Sequence, residues 1–306
     1  MKSKFLSPAV SIFDKKGRPD REENLRLYEH LKNGGISGIV IMGSTGEFYS
    51  LSMKECKTMI DIASGFPKGS MEIFAGTSRM KVDESIELSN YAYEKGLDGV
   101  MIISPYYAPL TQDNIFDLYS SIASETKARI FIYNYPARTA YSVDPGTVLK
   151  LAEKFENIKG VKDTILEMGH TSDLIKEVKS RIPDFEIYSG YDNNFAHNIL
   201  SGGNGCIGAL SNIAPGCFAN WMSAIDSGDL KGVAAYQRDV DKMMDVYNIG
   251  ASFIPVIKKA LYLMGIINSE VSMEPIRPAN EEMAEKVNAI LTKMGLKTVV
   301  ERHATE

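Results

Sequence analysis

Lys162 stands inside the run Ile158-Lys-Gly-Val-Lys-Asp-Thr-Ile165. The run has the length and apolar character of a β-strand buried on both faces, where the ammonium of Lys162 is costly to desolvate. Burial also lowers a lysine's pKa and frees the amine to attack a ketone, so Schiff-base chemistry is open to this residue. An ion pair with Asp163 or Glu47 at the rim of the fold is equally open to it, and spacing alone does not separate the two. Tyr133, at the end of another apolar run, divides in the same way between proton transfer and ordinary aromatic packing.

The elements that must position these side chains alternate. Runs of strand length at Ser7–Phe13, Gly38–Gly43, Met71–Thr77, Gly99–Pro105, Arg129–Tyr135, Ile158–Thr164, Phe185–Tyr191 and Gly205–Asn212 are separated by amphipathic segments such as Glu22–Lys32, Lys54–Ser64, Asp83–Glu94 and Pro145–Phe155. Ser52 and Asp144 are N-cap types, and Asn33-Gly-Gly-Ile-Ser-Gly38 and Glu94-Lys-Gly-Leu-Asp-Gly99 read as a helix-ending glycine followed by entry into the next strand. Eight βα units imply parallel strands with crossover helices, and their closure gives an α/β fold, the (β/α)8 TIM barrel. We expect the barrel over residues 1–215. Residues 216–306 would hold its last helix and a C-terminal helical extension, with helices at Asp226–Asn248, Phe253–Met264 and Pro278–Met294, too continuous with the barrel to be an independent domain.

Active sites of such barrels lie at the C-terminal ends of the strands. Polar residues there form the candidate list: Ser44, Thr45 and Glu47; Thr77, Tyr106 and Tyr107; Tyr133 and Arg138; Lys162 and Thr164; Gly190 and Asp192. His30, His170, His197 and His303 fall on expected helices, a helix-side loop or the tail and form no ligand constellation, so no metal is expected.

Composition excludes several classes. The 306 residues are 44% hydrophobic and 24% charged, as in soluble globular chains, which disfavours disorder, a fibre or a coiled coil. A formal charge of −5 lacks the cationic excess that phosphate neutralisation requires, so nucleic acid is not an expected partner. Cys56, Cys206 and Cys217 have neither disulfide-framework nor CxxC spacing, which points to a reducing compartment. Met1 to Pro8 contains no apolar core of a signal peptide, and no stretch approaches the ~18 apolar residues of a membrane span. A cytoplasmic, soluble protein without a membrane partner is expected.

Five phrases in order on successive strand ends carry a family resemblance: Gly43-Ser-Thr-Gly-Glu47, Ser104-Pro-Tyr-Tyr107, Tyr133-Asn-Tyr-Pro-Ala-Arg-Thr139, Gly160-Val-Lys-Asp-Thr164 and Ser189-Gly-Tyr-Asp192. The chain resembles the dihydrodipicolinate synthase and N-acetylneuraminate lyase family of class I, pyruvate-handling aldolases. The resemblance implies that Lys162 is the Schiff-base lysine and Tyr133 the proton-transfer residue. It also makes Ser44 and Thr45 the hydroxyl pair that holds the pyruvate carboxylate and relays a proton. Ser44 stands where many dihydrodipicolinate synthases have threonine. Tyr107 resembles the tyrosine that one subunit inserts into its neighbour's site, which implies at least a dimer; the resemblance leads us to expect a homotetramer built as a dimer of dimers. No cofactor is implied, because the imine itself serves as the electron sink.

The substrate signals divide. Arg138 resembles the arginine with which dihydrodipicolinate synthases meet the carboxylate of aspartate semialdehyde. Asp163-Thr164, Gly190-Tyr-Asp192 and the stretch Ser189–Pro215 instead resemble sialic-acid and 2-keto-3-deoxygluconate-type lyases, in which a matching Asp and Thr bind substrate hydroxyls. With Gly46, Gly190 and Ile207 as further substrate-binding positions, the balance favours a 2-keto-3-deoxy sugar acid or a sialic-acid-like substrate. The lysine-pathway synthase and a dehydratase using the same imine are the alternatives. A non-catalytic keto-acid binder would have no need of Lys162 and Tyr133.

Overall fold

The computed structural model describes residues 2–298; Met1 and residues 299–306 of the expected C-terminal extension, with His303, lie outside them. Eight parallel strands, β1 (Lys4–Pro8), β2 (Gly38–Ile41), β3 (Glu72–Gly76), β4 (Gly99–Ile103), β5 (Ile130–Asn134), β6 (Ile158–Asp163), β7 (Glu186–Ser189) and β8 (Gly205–Ile207), pair in sequence order. Lys4 of β1 lies beside Gly205 of β8, which closes the barrel. The TIM-barrel expectation holds. Every residue of β2, β4 and β5 is buried, as strands covered on both faces must be.

Helices wrap the barrel with one stripe inward. In Met53–Ser64 the buried Cys56, Met59, Ile60 and Ala63 repeat at helical spacing, and Ser52 opens the helix through a reciprocal capping box with Glu55, a feature worth about 1 kcal/mol. Asp144 stands at the N-cap position of Pro145–Lys154, but its side chain makes no capping bond, contrary to expectation.

Three spans differ from the sequence reading. The first strand is Lys4–Pro8, not Ser7–Phe13. Residues 9–13 are buried like a strand, but beyond Ala9 side chains satisfy their backbone: Val10 N–H donates to Asn212 Oδ1 at 3.2 Å and Ile12 N–H to Asn24 Oδ1 at 3.1 Å. The eighth strand ends at Ile207, and Ala209–Asn212 turns into a 3-10 helix. The expected helix Asp226–Asn248 is broken at Gly228, whose φ of 72° ends Pro215–Ser227, before Leu230–Met243 starts on the Asp229 cap and passes into the 3-10 turn Met244–Asn248.

A ring of charges plugs the N-terminal end of the barrel. Lys4 lies 2.8 Å from Glu72 and 3.3 Å from Glu186, and Arg129 lies 2.8 Å from Glu186 and 3.5 Å from Glu72. Cations and anions alternate, so each charge has two opposite neighbours, and the acidic and basic groups of this end are spent on one another. The opposite end is left open for chemistry.

Candidate active site

Register brings the two central residues together. Tyr133 of β5 pairs with Lys162 of β6, and Lys162 Nζ lies 4.4 Å from the centre of the Tyr133 ring. Lys162 is 6% exposed. Neither proposed ion-pair partner reaches it. Glu47 is bound to Lys258 at 2.5 Å, and Asp163 accepts from Asn134 Nδ2 at 2.8 Å and Thr171 Oγ1 at 2.6 Å, with His170 Nδ1 at 3.0 Å. Among the described residues Lys162 makes no ion pair, leaving its amine at the barrel mouth beside an aromatic face.

The amine opens on a cavity of about 220 Å³ that Pro8, Ser44, Thr45, Tyr133, Arg138, Thr164, Gly190 and Ile207 help to line. Ser44 Oγ lies 3.5 Å from Tyr133 Oη, the outer limit of a hydrogen bond. Within the described chain, the backbone N–H groups of Ser44 and Thr45 and the Thr45 hydroxyl find no acceptor. Free donors grouped on one cavity-lining loop suit a carboxylate. Gly46 lets the loop fold this tightly, since a Cβ there would meet the Met42 nitrogen at 2.9 Å. Gly190 is constrained more severely: a Cβ would fall 1.9 Å from Thr164 Oγ1. That hydroxyl is buried, has no hydrogen-bond partner, and belongs to a cavity-lining residue.

Asp192 takes a different place from that expected of a hydroxyl-binding carboxylate. It is fully buried and does not line the cavity; Oδ1 accepts from Leu210 N–H at 3.1 Å and Oδ2 from Tyr247 Oη at 2.5 Å. Burial pushes its pKa up to about 6, against the hydrogen bonds from Tyr247 and Leu210 and the nearby Lys162 charge. The 3-10 turn Asp192–Asn194 directs it toward Tyr247, and Tyr247 is what lines the cavity.

Gly46 shapes the loop without lining this cavity, and Tyr107 also lies outside it. Tyr107 is 90% exposed on the single chain, whereas its neighbour Tyr106 packs against Phe48. Arg138 is exposed, stacks over Tyr135 at 5.8 Å and makes no ion pair among the described residues. Arg138 and Ser44 also border a second, outer cavity of about 580 Å³ walled by Phe48, Tyr49, Phe253 and Ile276.

Tyr247 and Phe253 were missed because they come from the C-terminal helices and not from strand ends. The break at Asn248-Ile-Gly-Ala-Ser-Phe253 between two helical patterns was the available signal. Cys206 lies close by, its Sγ 3.3 Å from the Tyr191 carbonyl, but burial raises its thiol pKa well above the usual value, so it offers no competing nucleophile. Among the described residues no His, Cys, Asp and Glu group could hold a metal ion.

Comparison with known proteins decides the lineage: the dihydrodipicolinate synthetase family profile matches residues 1–294. The chain belongs to this family. The probable 2-dehydro-3-deoxy-D-pentonate aldolase YjhH of Escherichia coli K12 is 31% identical over 294 residues, 96% of this chain and 98% of that protein. The 4-hydroxy-tetrahydrodipicolinate synthase of Thermotoga neapolitana is 29% identical over 282 residues, 92% of this chain and 95% of its own. Among solved structures, E. coli K12 YagE in complex with pyruvate, a prophage protein of the dihydrodipicolinic acid synthase family, superposes with a TM-score of 0.93 at 30% identity, covering 96% of this chain and 99% of that one. Like other dihydrodipicolinate synthetase family members, the protein is a carbon–carbon lyase of the pyruvate aldolase type. No helix among its described residues is long and apolar enough to cross a membrane.

Proposed function

We propose that this family member works through an imine on Lys162, reversibly joining pyruvate and an aldehyde, and that its substrate is a 2-keto-3-deoxy sugar acid or a sialic-acid-like compound. The buried Lys162 amine carries the proposal, because it opens on the cavity beside Tyr133 without a carboxylate partner. The uncharged amine adds to the ketone carbon of pyruvate, and loss of water gives a protonated imine. Loss of a methyl proton leaves an enamine, whose carbon attacks the aldehyde. Water then releases the 2-keto acid and restores the amine; cleavage runs the same states backwards.

Ser44 and Thr45 take the carboxylate, Tyr133 exchanges a proton with the aldehyde oxygen, and Ser44 relays a proton to the tyrosine. The exposure of Tyr107 supports its reaching a neighbour's relay in a homotetramer, in a cytoplasmic enzyme. For the sugar-acid reading, support comes from the unpartnered Thr164 hydroxyl in the cavity wall and from the pentonate aldolase among the relatives. The ion-pair-free Arg138 at the mouth favours a second reading, 4-hydroxy-tetrahydrodipicolinate synthesis from aspartate semialdehyde.

The test supplies pyruvate with aspartate semialdehyde in one arm and a panel of 2-keto-3-deoxy sugar acids and N-acetylneuraminate in the other, and identifies the products. We expect pyruvate and a hydroxylated aldehyde from a sugar acid, and a borohydride-reduced pyruvyl group on Lys162. Condensation with aspartate semialdehyde alone would overturn the substrate assignment. Loss of water without carbon–carbon cleavage would make the protein a dehydratase, and an unmodified Lys162 would sink the imine.

A further inference from the structure

Glu47 and Lys258 form an ion pair in which both side chains are 0% exposed. Folding alone does not call for it, since apolar residues of similar volume often replace such pairs without loss of stability. Its geometry spans three segments. Glu47 ends the Gly43–Glu47 loop with a left-handed φ of 57°; its Oε1 takes Lys258 Nζ at 2.5 Å and its Oε2 takes Met273 N–H at 2.7 Å. Lys258, on helix Ile254–Leu263, also donates to the Val271 carbonyl at 2.7 Å and lies over the Phe13 ring at 4.6 Å. One carboxylate thus ties the loop carrying Ser44 and Thr45 to the C-terminal region that supplies Phe253 and Ala251 to both cavities.

The loop needs such a tie. Its Ser44 and Thr45 donors are left open, and the bonds that shape it are few: Gly46 N–H to Gly43 O at 2.9 Å, Glu47 N–H to Ser44 O at 3.3 Å and Phe48 N–H to Gly43 O at 3.5 Å, with Ser11 Oγ donating to Gly46 O at 2.8 Å from outside the loop. We propose that the Glu47–Lys258 pair holds the Ser44–Thr45 loop in the form that receives the substrate carboxylate, which makes Glu47 and Lys258 positioning residues for keto-acid binding. This rests on Lys162 being the imine-forming lysine.

The experiment traps the Lys162 imine with borohydride, using pyruvate and ethyl pyruvate as probes. They share the ketone and differ in the free carboxylate. Variants are Glu47→Gln, Lys258→Met and the double variant Glu47→Leu/Lys258→Met, which leaves no unpaired buried charge. The double variant should fold and melt only modestly below the unaltered protein, because the Met273 N–H and the Val271 carbonyl lose their partners, yet need about tenfold more pyruvate for half-saturation and lose most of its preference for pyruvate over the ester; the adduct formed at saturating pyruvate should be unchanged. The single variants should move the same way with a lower melting temperature.

A folded double variant that keeps both the half-saturation and the preference overturns the proposal. So does a double variant that cannot fold, because the pair is then a stability element. Failure of the unaltered protein to trap pyruvate would instead sink the Lys162 reading, a separate result seen before any variant is made.

Discussion

Tyr133 and Lys162 face each other across the β5–β6 ladder, with the lysine Nζ 4.4 Å from the tyrosine ring centre and the tyrosine hydroxyl 3.5 Å from Ser44 Oγ. The ring and the hydroxyl of Tyr133 therefore have separable duties: one packs against the amine, the other meets the loop. Tyr133→Phe keeps the first and removes the second. We expect this variant to trap pyruvate on Lys162 at close to the normal rate while turnover falls about 10²- to 10⁴-fold. Equal loss of trapping and turnover would show that the hydroxyl is needed to form the imine.

Much of this arrangement is legible in the amino-acid sequence. Strands covered on both faces are continuous apolar runs, so a lysine within one stands out, and Lys162 and Tyr133 fall where the pattern of strand ends puts them. Residues 9–13 misled because burial looks the same whether a neighbouring strand or the amides of Asn24 and Asn212 satisfy the backbone. Asp192 misled because a strand end gives position but not direction. Tyr247, 55 residues further on, accounts for one of its oxygens. The Glu47–Lys258 pair spans 211 residues, and a lysine on an amphipathic helix ordinarily reads as solvated.

Thr164 carries a buried hydroxyl without a partner. Such a group lowers stability by about 1 to 3 kcal/mol, so the isosteric Thr164→Val should raise the unfolding free energy by roughly 1 kcal/mol. The same change should lower kcat/KM for a hydroxylated 2-keto acid by about 10- to 100-fold and leave pyruvate trapping unaltered. Thermal melts and steady-state kinetics on one preparation measure both. A variant that is more stable and fully active would leave the hydroxyl without a role in recognition.

His170 gives a pH signature next to the site. Burial alone would lower its pKa, but the hydrogen bond and charge of Asp163, aided by the Val143 carbonyl, outweigh burial and hold it above the usual 6.5. A pKa raised on folding contributes stability that is full below the unfolded value and lost as pH rises through the higher folded value. The melting-temperature gap between the unaltered protein and His170→Gln should therefore be widest near about pH 5.5 and narrow toward about pH 9. A gap that widens with pH would reverse the sign of the coupling.

Substrate choice is decided by ranking Arg138 against Asp192 and Thr164. Arg138 is exposed and makes no ion pair among the described residues, so Arg138→Ala should leave the melting temperature unchanged and report only on substrate binding. Asp192 has both oxygens committed inside the protein, so Asp192→Asn acts on the substrate only through Tyr247. Its penalty should be smaller than that of Thr164→Val. For a sugar acid without a distal carboxylate, the expected order of loss in kcat/KM is Thr164→Val, then Asp192→Asn, then Arg138→Ala, the last within a few-fold of the unaltered protein. For aspartate semialdehyde the order inverts, because truncating Arg138 removes the fork that would pair with its carboxylate, a charged hydrogen bond worth about 1.5 to 3 kcal/mol, or about 10- to 100-fold in kcat/KM. Measuring both substrates across the three variants gives two rankings. The substrate whose ranking matches its chemistry, with the larger kcat/KM in the unaltered protein, is the one this cavity is built to take.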